Sequence, residues 1–129
     1  MLVYITATKS LHPLRRNGEL REVRQIKDLH RHHCQICGQR LELPNGFYAE
    51  GAHIRPVGKP HSGPDEPGNL LCLCPNDHVL FDRGGLTLTD DLQIFDEFAG
   101  QFRGSLRLAP QHMINIAHVA YHRQVVRQS

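Results

Sequence analysis

The stretch LCLCPNDHVLFD, Leu71 to Asp82, sets Cys74, Asp77, His78 and Asp82 close together, and these residue types support two kinds of chemistry. His78 and Asp82 are four apart, so on a helix they point the same way. An imidazole and a carboxylate on one face can hold a divalent cation and leave positions for water and phosphate. Cys74 belongs to a different pattern. Upstream, Cys34 and Cys37 form a Cys-x-x-Cys pair spaced for tetrahedral zinc, and Asp77 stands where a second such pair would place a cysteine.

These side chains need rigid supports, and the pattern around them supplies candidates. NGELREVRQIKDLHRHH puts Leu20, Val23, Ile26 and Leu29 on one side with charges elsewhere. With Asn17 suited to capping, this predicts a helix over about 19–31. CQICG reads as a tight turn. GFYAEGAHIRPV is rich in β-formers and reads as one strand, or two with a kink at Gly51. Residues 56–68, PVGKPHSGPDEPG, hold four Pro and three Gly and must form a stiff loop. NLLCLC reads as a short strand. Pro75 suits the first turn of a helix through NDHVLFD that stops at Gly84-Gly85. LTLTDDLQIFDEF alternates enough for a hairpin, and QHMINIAHVAYHRQVV places Met113, Ile116, Ala117, Ala120 and Tyr121 on the stripe of a C-terminal amphipathic helix. MLVYITA fits a short strand and a loosely held arm equally well. The centre is strand, long loop, strand, helix, an α+β arrangement.

At 129 residues the chain has the size of one domain. Its 40% hydrophobic and 22% charged content is ordinary for a soluble globular protein. No apolar run is long enough to cross a bilayer, and MLVYITATKSLHPLRR has no secretory pattern, so the expectation is a cytoplasmic protein with no membrane partner. In that compartment cysteines are read as metal ligands or buried thiols before disulfides. The net charge of +2 conceals a segregation. Residues 1–40 carry +5, residues 41–101 carry −7 and residues 102–129 carry +4, with Arg supplying twelve of the fifteen basic residues. An acidic centre suits cations, and Arg-rich flanks suit a polyanion.

AHIRP…GNLLCLCPNDHVLFD brings His53, Asn69 and His78 in order onto a strand, the start of the next strand and a helix. Together with the upstream Cys-x-x-Cys, residues 34–86 resemble the His-Asn-His (HNH) nucleases, whose core is a ββα-metal finger. The Arg-rich helix before CQICG is similar to that of restriction-type members. The resemblance implies a single HNH domain over 1–129. Residues 1–33 would be a basic arm and helix, 34–86 a zinc-supported ββα core, and 87–129 a hairpin and helix. The implied activity is metal-dependent hydrolysis of DNA phosphodiester bonds. His53 would be the general base, which its intrinsic proton affinity near neutral pH allows. Asn69 would hold the His53 loop through side-chain hydrogen bonds. His78 and Asp82 would hold the catalytic cation, Mg2+ or Mn2+, with Zn2+ or Ni2+ as alternatives. Many members carry a further ligand immediately before the base; here that residue is Ala52, which leaves two protein ligands. Glu50, on the same side of a strand as Ala52 and not of His53, is a candidate helper only.

In relatives with two Cys-x-x-Cys pairs, a structural zinc ties the segment before the finger to the start of its helix. Carried over, this implies a zinc site of Cys34, Cys37, Cys74 and Asp77, a carboxylate oxygen being an acceptable ligand. Two alternatives stand beside it. Cys72 or a nearby histidine completes the set, or there is no zinc and Cys72 and Cys74 pack as small apolar residues.

Arg55 and Lys59, on or just after the His53 strand, are candidates for DNA phosphate contacts together with His61, as are Arg24 and Arg31 on the basic helix. His30, His32 and His33 crowd the end of that helix, where imidazolium suits the helix dipole and phosphate alike. His118 and His122, four apart on the last helix, could form a metal pair, but with no third acidic or cysteine partner in sequence they read as surface residues. Phosphate contacts give affinity without sequence choice. The expected partner is double-stranded DNA, with specificity weak or supplied by a separate recognition domain or subunit, and a homodimer would let two nicks become a double-strand break. The competing function is a non-catalytic zinc-containing nucleic-acid-binding module. Ala52 and Asp77 favour it; the joint presence of His53, Asn69, His78 and Asp82 opposes it.

Overall fold

The computed structural model describes residues 18–128, so the expectations for MLVYITA and for Asn17 lie outside the described residues. Helix α1 spans Arg21–Leu29, shorter than the sequence pattern suggests. His30 closes it, and Arg31 and His32 turn into the left-handed region (φ 52° and 63°), which no helix can continue through. Val23 and Ile26 are buried as expected, but so is Lys27, which the pattern placed among the outward charges. Its ammonium is paired with the Glu19 carboxylate and donates to the Ala49 carbonyl (3.2 Å), so the buried charge is compensated.

The β-rich segment divides at Ala49 and not at Gly51. β1 (Leu41–Leu43) and β2 (Gly46–Tyr48) form a small hairpin, and β3 (Glu50–His53) pairs antiparallel with β4 (Leu70–Leu73) in a separate one. The register sets Ala52 opposite Leu71 and His53 opposite Leu70. All four β4 residues are buried because both faces of this hairpin are covered. Leu70 and Cys72 face α1 with Val23, Ile26 and Ala49, whereas Leu71, Leu73 and Ala52 join Phe81, Leu86, Leu88, Ile94 and Val119 in the larger core. Gly51 lets α1 approach: a Cβ there would lie 2.5 Å from a Val23 methyl.

Between the two strands the Pro/Gly loop ends in a single 3-10 turn, Pro67–Asn69. Helix α2, Pro75–Asp82, follows β4 directly. Pro75 starts it, Cys74 caps it by accepting from the Asp77 N–H (3.4 Å), and Gly84 leaves it with φ 83°. The expected hairpin is β5 (Leu86–Leu88) with β6 (Gln93–Asp96), extended by a third strand, β7 (Gln101–Ser105), that the sequence did not signal. Every β7 residue is exposed, so it carries no inward apolar alternation to read.

The C-terminal helix α3 is Ile116–Gln128, and its buried face differs from the expected stripe. Met113 precedes the helix and is 77% exposed, and Ile116 and Ala117 are exposed too. Val119 and His122 are the buried pair. His122 stacks on Phe81 (3.8 Å between centroids) and its Nε2 bonds the Phe81 carbonyl at 2.8 Å, so a satisfied polar ring fills a core position that an apolar-only count passes over. The surface reading of His122 is corrected accordingly. Among the described residues no helix is long and apolar enough to cross a membrane.

Candidate active site and metal centre

β3 delivers His53 to the rim of a cleft of about 510 Å3, which is also lined by His78 and Asp82 of α2 and by Pro56, Val57, Gly58 and His61 of the long loop. Asn69 explains how that loop is held. It is fully buried, its Oδ1 accepts from the Arg55 N–H (2.7 Å), and its Nδ2 donates to the carbonyls of Arg55 (3.1 Å) and Pro64 (3.0 Å). The Asn69 carbonyl in turn accepts from the Ile54 N–H at 2.9 Å. One amide therefore ties the exit of β3 to the far end of the loop. Gly63 completes the fold-back: its N–H donates to the Pro56 carbonyl (2.7 Å), and a Cβ there would lie 2.0 Å from the Arg55 carbonyl oxygen.

The next acidic residue, Asp65, bonds His53 Nε2 through Oδ1 at 2.7 Å. Sequence reasoning missed it, because only the closed shape of the loop brings residue 65 onto residue 53.

On α2, His78 Nε2 lies 3.2 Å from Asp82 Oδ2, as the four-residue spacing requires. His78 Nδ1 is bonded to Glu50 Oε1 (2.8 Å), and the Tyr48 hydroxyl donates to Glu50 Oε2 (2.7 Å). The hydrogen bond with Asp82 pushes the His78 pKa up to about 9, Glu50 adding to the rise and burial opposing it. Ala52 is wholly buried in the larger core and offers no ligand atom to the cleft. Two cis ligands of an octahedral cation at about 2.1 Å lie about 3.0 Å apart. The 3.2 Å between His78 Nε2 and Asp82 Oδ2 fits such a pair.

The candidate DNA contacts belong to two elements. Arg55 is half-buried, its Nε donating to the His61 carbonyl (2.7 Å) and its guanidinium lying 4.1 Å from the Tyr121 ring centroid. Lys59 is exposed in the loop beside the cleft. On and after α1, Arg24 donates to the Glu19 carbonyl (2.6 Å), and Arg31 is exposed. His30 pairs with His112 (2.9 Å) and His32 is buried, so of the three histidines after α1 only His33 is exposed.

A second cluster lies at the start of α2. One donor atom from each of Cys34, Cys37, Cys74 and Asp77 falls within 4.8 Å of all the others, an arrangement able to hold a metal ion. The Cys37 and Cys74 sulfurs are 3.8 Å apart. That matches the edge of about 3.8 Å expected of a tetrahedron with zinc–sulfur bonds near 2.3 Å. Cys34 Sγ and Asp77 Oδ2 are 3.2 Å apart. Asp77 is buried, with its carboxylate among the cysteine sulfurs, a placement that a bound cation would compensate. Burial raises the Cys34, Cys37 and Cys74 thiols above their ordinary range, so they too call for a cation to become ligands. Cys72 is absent from this group. It points into the α1 core, and burial pushes its thiol up to about 12.

Comparison with known proteins agrees with this geometry. A family model described as HNH endonuclease matches residues 34–89. A solved structure described as a modification-dependent TagI restriction endonuclease matches with a TM-score of 0.79 and 49% identity, covering 81% of this chain. This chain spans 36% of the length of that protein. No curated protein matched.

Proposed function

The chain belongs to the HNH endonuclease family, and on that premise we propose that it hydrolyses DNA phosphodiester bonds with His53 as general base. The observation that carries this reading is the shared cleft: His53 from one side and the His78–Asp82 pair from the other border a single space. A duplex backbone seated there has its scissile phosphate between a proton acceptor and a cation site.

His78 Nε2 and Asp82 would hold the divalent cation, Mg2+ or Mn2+. When bound, it stabilises the charge developing on the phosphate and the leaving oxygen. The two sides of His78 are not equivalent. Its Asp82 side borders the His53 cleft, whereas its Glu50 side borders a different cavity lined by α1. Glu50 therefore acts from behind: by accepting from Nδ1–H it would keep that side of the ring occupied, and Tyr48 fixes Glu50 in turn. Nε2, once a cation displaces the proton it shares with Asp82, is then the nitrogen available as ligand. His53 removes the proton from the attacking water. Asn69 keeps the end of β3 and the loop in register while that happens.

Cys34, Cys37, Cys74 and Asp77 would hold a structural zinc, which would fasten the segment before β1 to the first turn of α2. The TagI protein is described as modification dependent; for this chain modified double-stranded DNA is the corresponding proposed substrate. Arg55, Lys59, Arg24 and Arg31 contribute backbone contacts, a separate recognition domain or subunit selects the site, and a homodimer would turn two nicks into a double-strand break. The alternative of a binding module without chemistry draws support from Ala52, which contributes no ligand to the cleft.

Supercoiled plasmid, in unmodified and in base-modified form, incubated with zinc-loaded protein and Mg2+, Mn2+ or EDTA, beside His53→Ala, decides between the two. Metal-dependent nicking or linearisation that disappears in the variant supports the nuclease. DNA binding with no cleavage in any metal leaves the binding module.

A further inference from the structure

Resting on the nuclease reading, we propose that Asp65 is a positioning residue for His53, holding the ring in one orientation with its proton on Nε2 and Nδ1 free to accept the proton of water. An ionised carboxylate can only accept hydrogen bonds, so the 2.7 Å contact requires Nε2 to be the donor. Nδ1 has no hydrogen-bond partner among the described residues, and with Nε2 engaged it is the nitrogen that His53, which lines the cleft, has left to act as a base.

The loop is built to deliver this carboxylate. Asn69 pins the Pro64 carbonyl immediately before Asp65, and Gly63 is seated against the Arg55 carbonyl two residues after His53. The loop is thereby held by groups other than Asp65 itself. The Asp65 side chain is 46% exposed, and its one partner among the described residues is His53. Removing the carboxylate should free the ring without releasing the loop. A strand fixes the backbone of His53, but the ring still rotates about two side-chain bonds, and small misplacement of a reacting group is costly in rate.

The test uses the full chain loaded with zinc. Rotamer averaging of the His53 ring is read by NMR from side-chain couplings and relaxation in the parent, Asp65→Ala and Asp65→Asn, and cleavage and DNA affinity are measured on the same samples. We expect one ordered ring in the parent, an averaged ring in Asp65→Ala, and kcat lower by about 10- to 100-fold with DNA affinity within about threefold. Asp65→Glu, which restores an anionic acceptor on a longer arm, should recover part of the loss. Variants that cleave within about threefold of the parent, or a His53 ring equally ordered in all of them, would overturn the proposal. The ring measurement needs no cleavage. A parent chain that cuts no DNA therefore sinks the nuclease reading and leaves Asp65 to be judged on the ring alone.

Discussion

Asn69→Ala isolates the amide that organises the site. In the native protein this side chain makes three hydrogen bonds, one accepted from the Arg55 N–H and two donated to the carbonyls of Arg55 and Pro64. At a net worth of about 1 kcal/mol each, their loss costs about 3 kcal/mol, and stranding a poorly solvated N–H adds about 1–2 kcal/mol more. The expected destabilisation is therefore about 4–5 kcal/mol, or about 12–25 °C in Tm for a domain of this size. Calorimetry of zinc-loaded protein at neutral pH measures it. Asn69→Asp should do no better than alanine there, because a carboxylate can accept from Arg55 N–H but meets two carbonyl oxygens with no proton to share. A loss below about 1 kcal/mol in Asn69→Ala would refute the view that this amide clamps the loop. So would an aspartate variant of native stability.

Zinc content gives a second test: Asp77→Ala should lose stoichiometric zinc, whereas Cys72→Ala should keep it, because only Asp77 lies among the cysteine sulfurs. Elemental analysis reporting the reverse would reassign the fourth ligand. Gly51→Ala drives a methyl against the β-branched Val23, whose methyls cannot swing far, and should cost about 1–3 kcal/mol, with Val23→Ala in the same chain recovering most of it. Acidification should destabilise the fold through His30. Burial, with His112 beside it, lowers its pKa from 6.5 to about 4, so its contribution is fully present above pH 6.5 and lost as pH falls toward 4. A thermal-melt series across that window should be flatter for His30→Gln, and an unchanged slope would exclude His30 as a source.

The parts of the site legible in the sequence were those fixed by local geometry. The spacing of His78 and Asp82 on a helix, the Cys34–Cys37 turn, and the Pro75 start and Gly84 exit of α2 all follow from backbone rules within one or two turns. The period of two also placed Glu50 away from His53, although not the reach of its carboxylate to His78. What stayed hidden depends on closure over distance. Asp65 reaches His53 only because Asn69 and Gly63 fold the loop back, and loop composition predicts stiffness without predicting shape. Lys27 and His122 were hidden for another reason. Polar types are expected outside, and each is inside because a specific partner, Glu19 or the Phe81 carbonyl, satisfies it.

The β3–β4 hairpin divides two cores of unequal size, and this division sets an order of opening. The smaller side rests on Val23, Ile26, Ala49, Leu70 and Cys72, with Leu29 against its edge, while the larger gathers the hydrophobic side chains of α2, β5, β6 and α3. Native-state hydrogen exchange should therefore resolve at least two tiers, with the amides of α1 exchanging through a cheaper fluctuation than those of β4. Since His53, Asn69, His78 and Asp82 all lie on the hairpin, the turn between its strands and α2, an excursion of α1 should uncover the back of Glu50 while the floor of the proposed site stays folded. On the proposed reading, the protein would breathe at one wall without losing the geometry of its site.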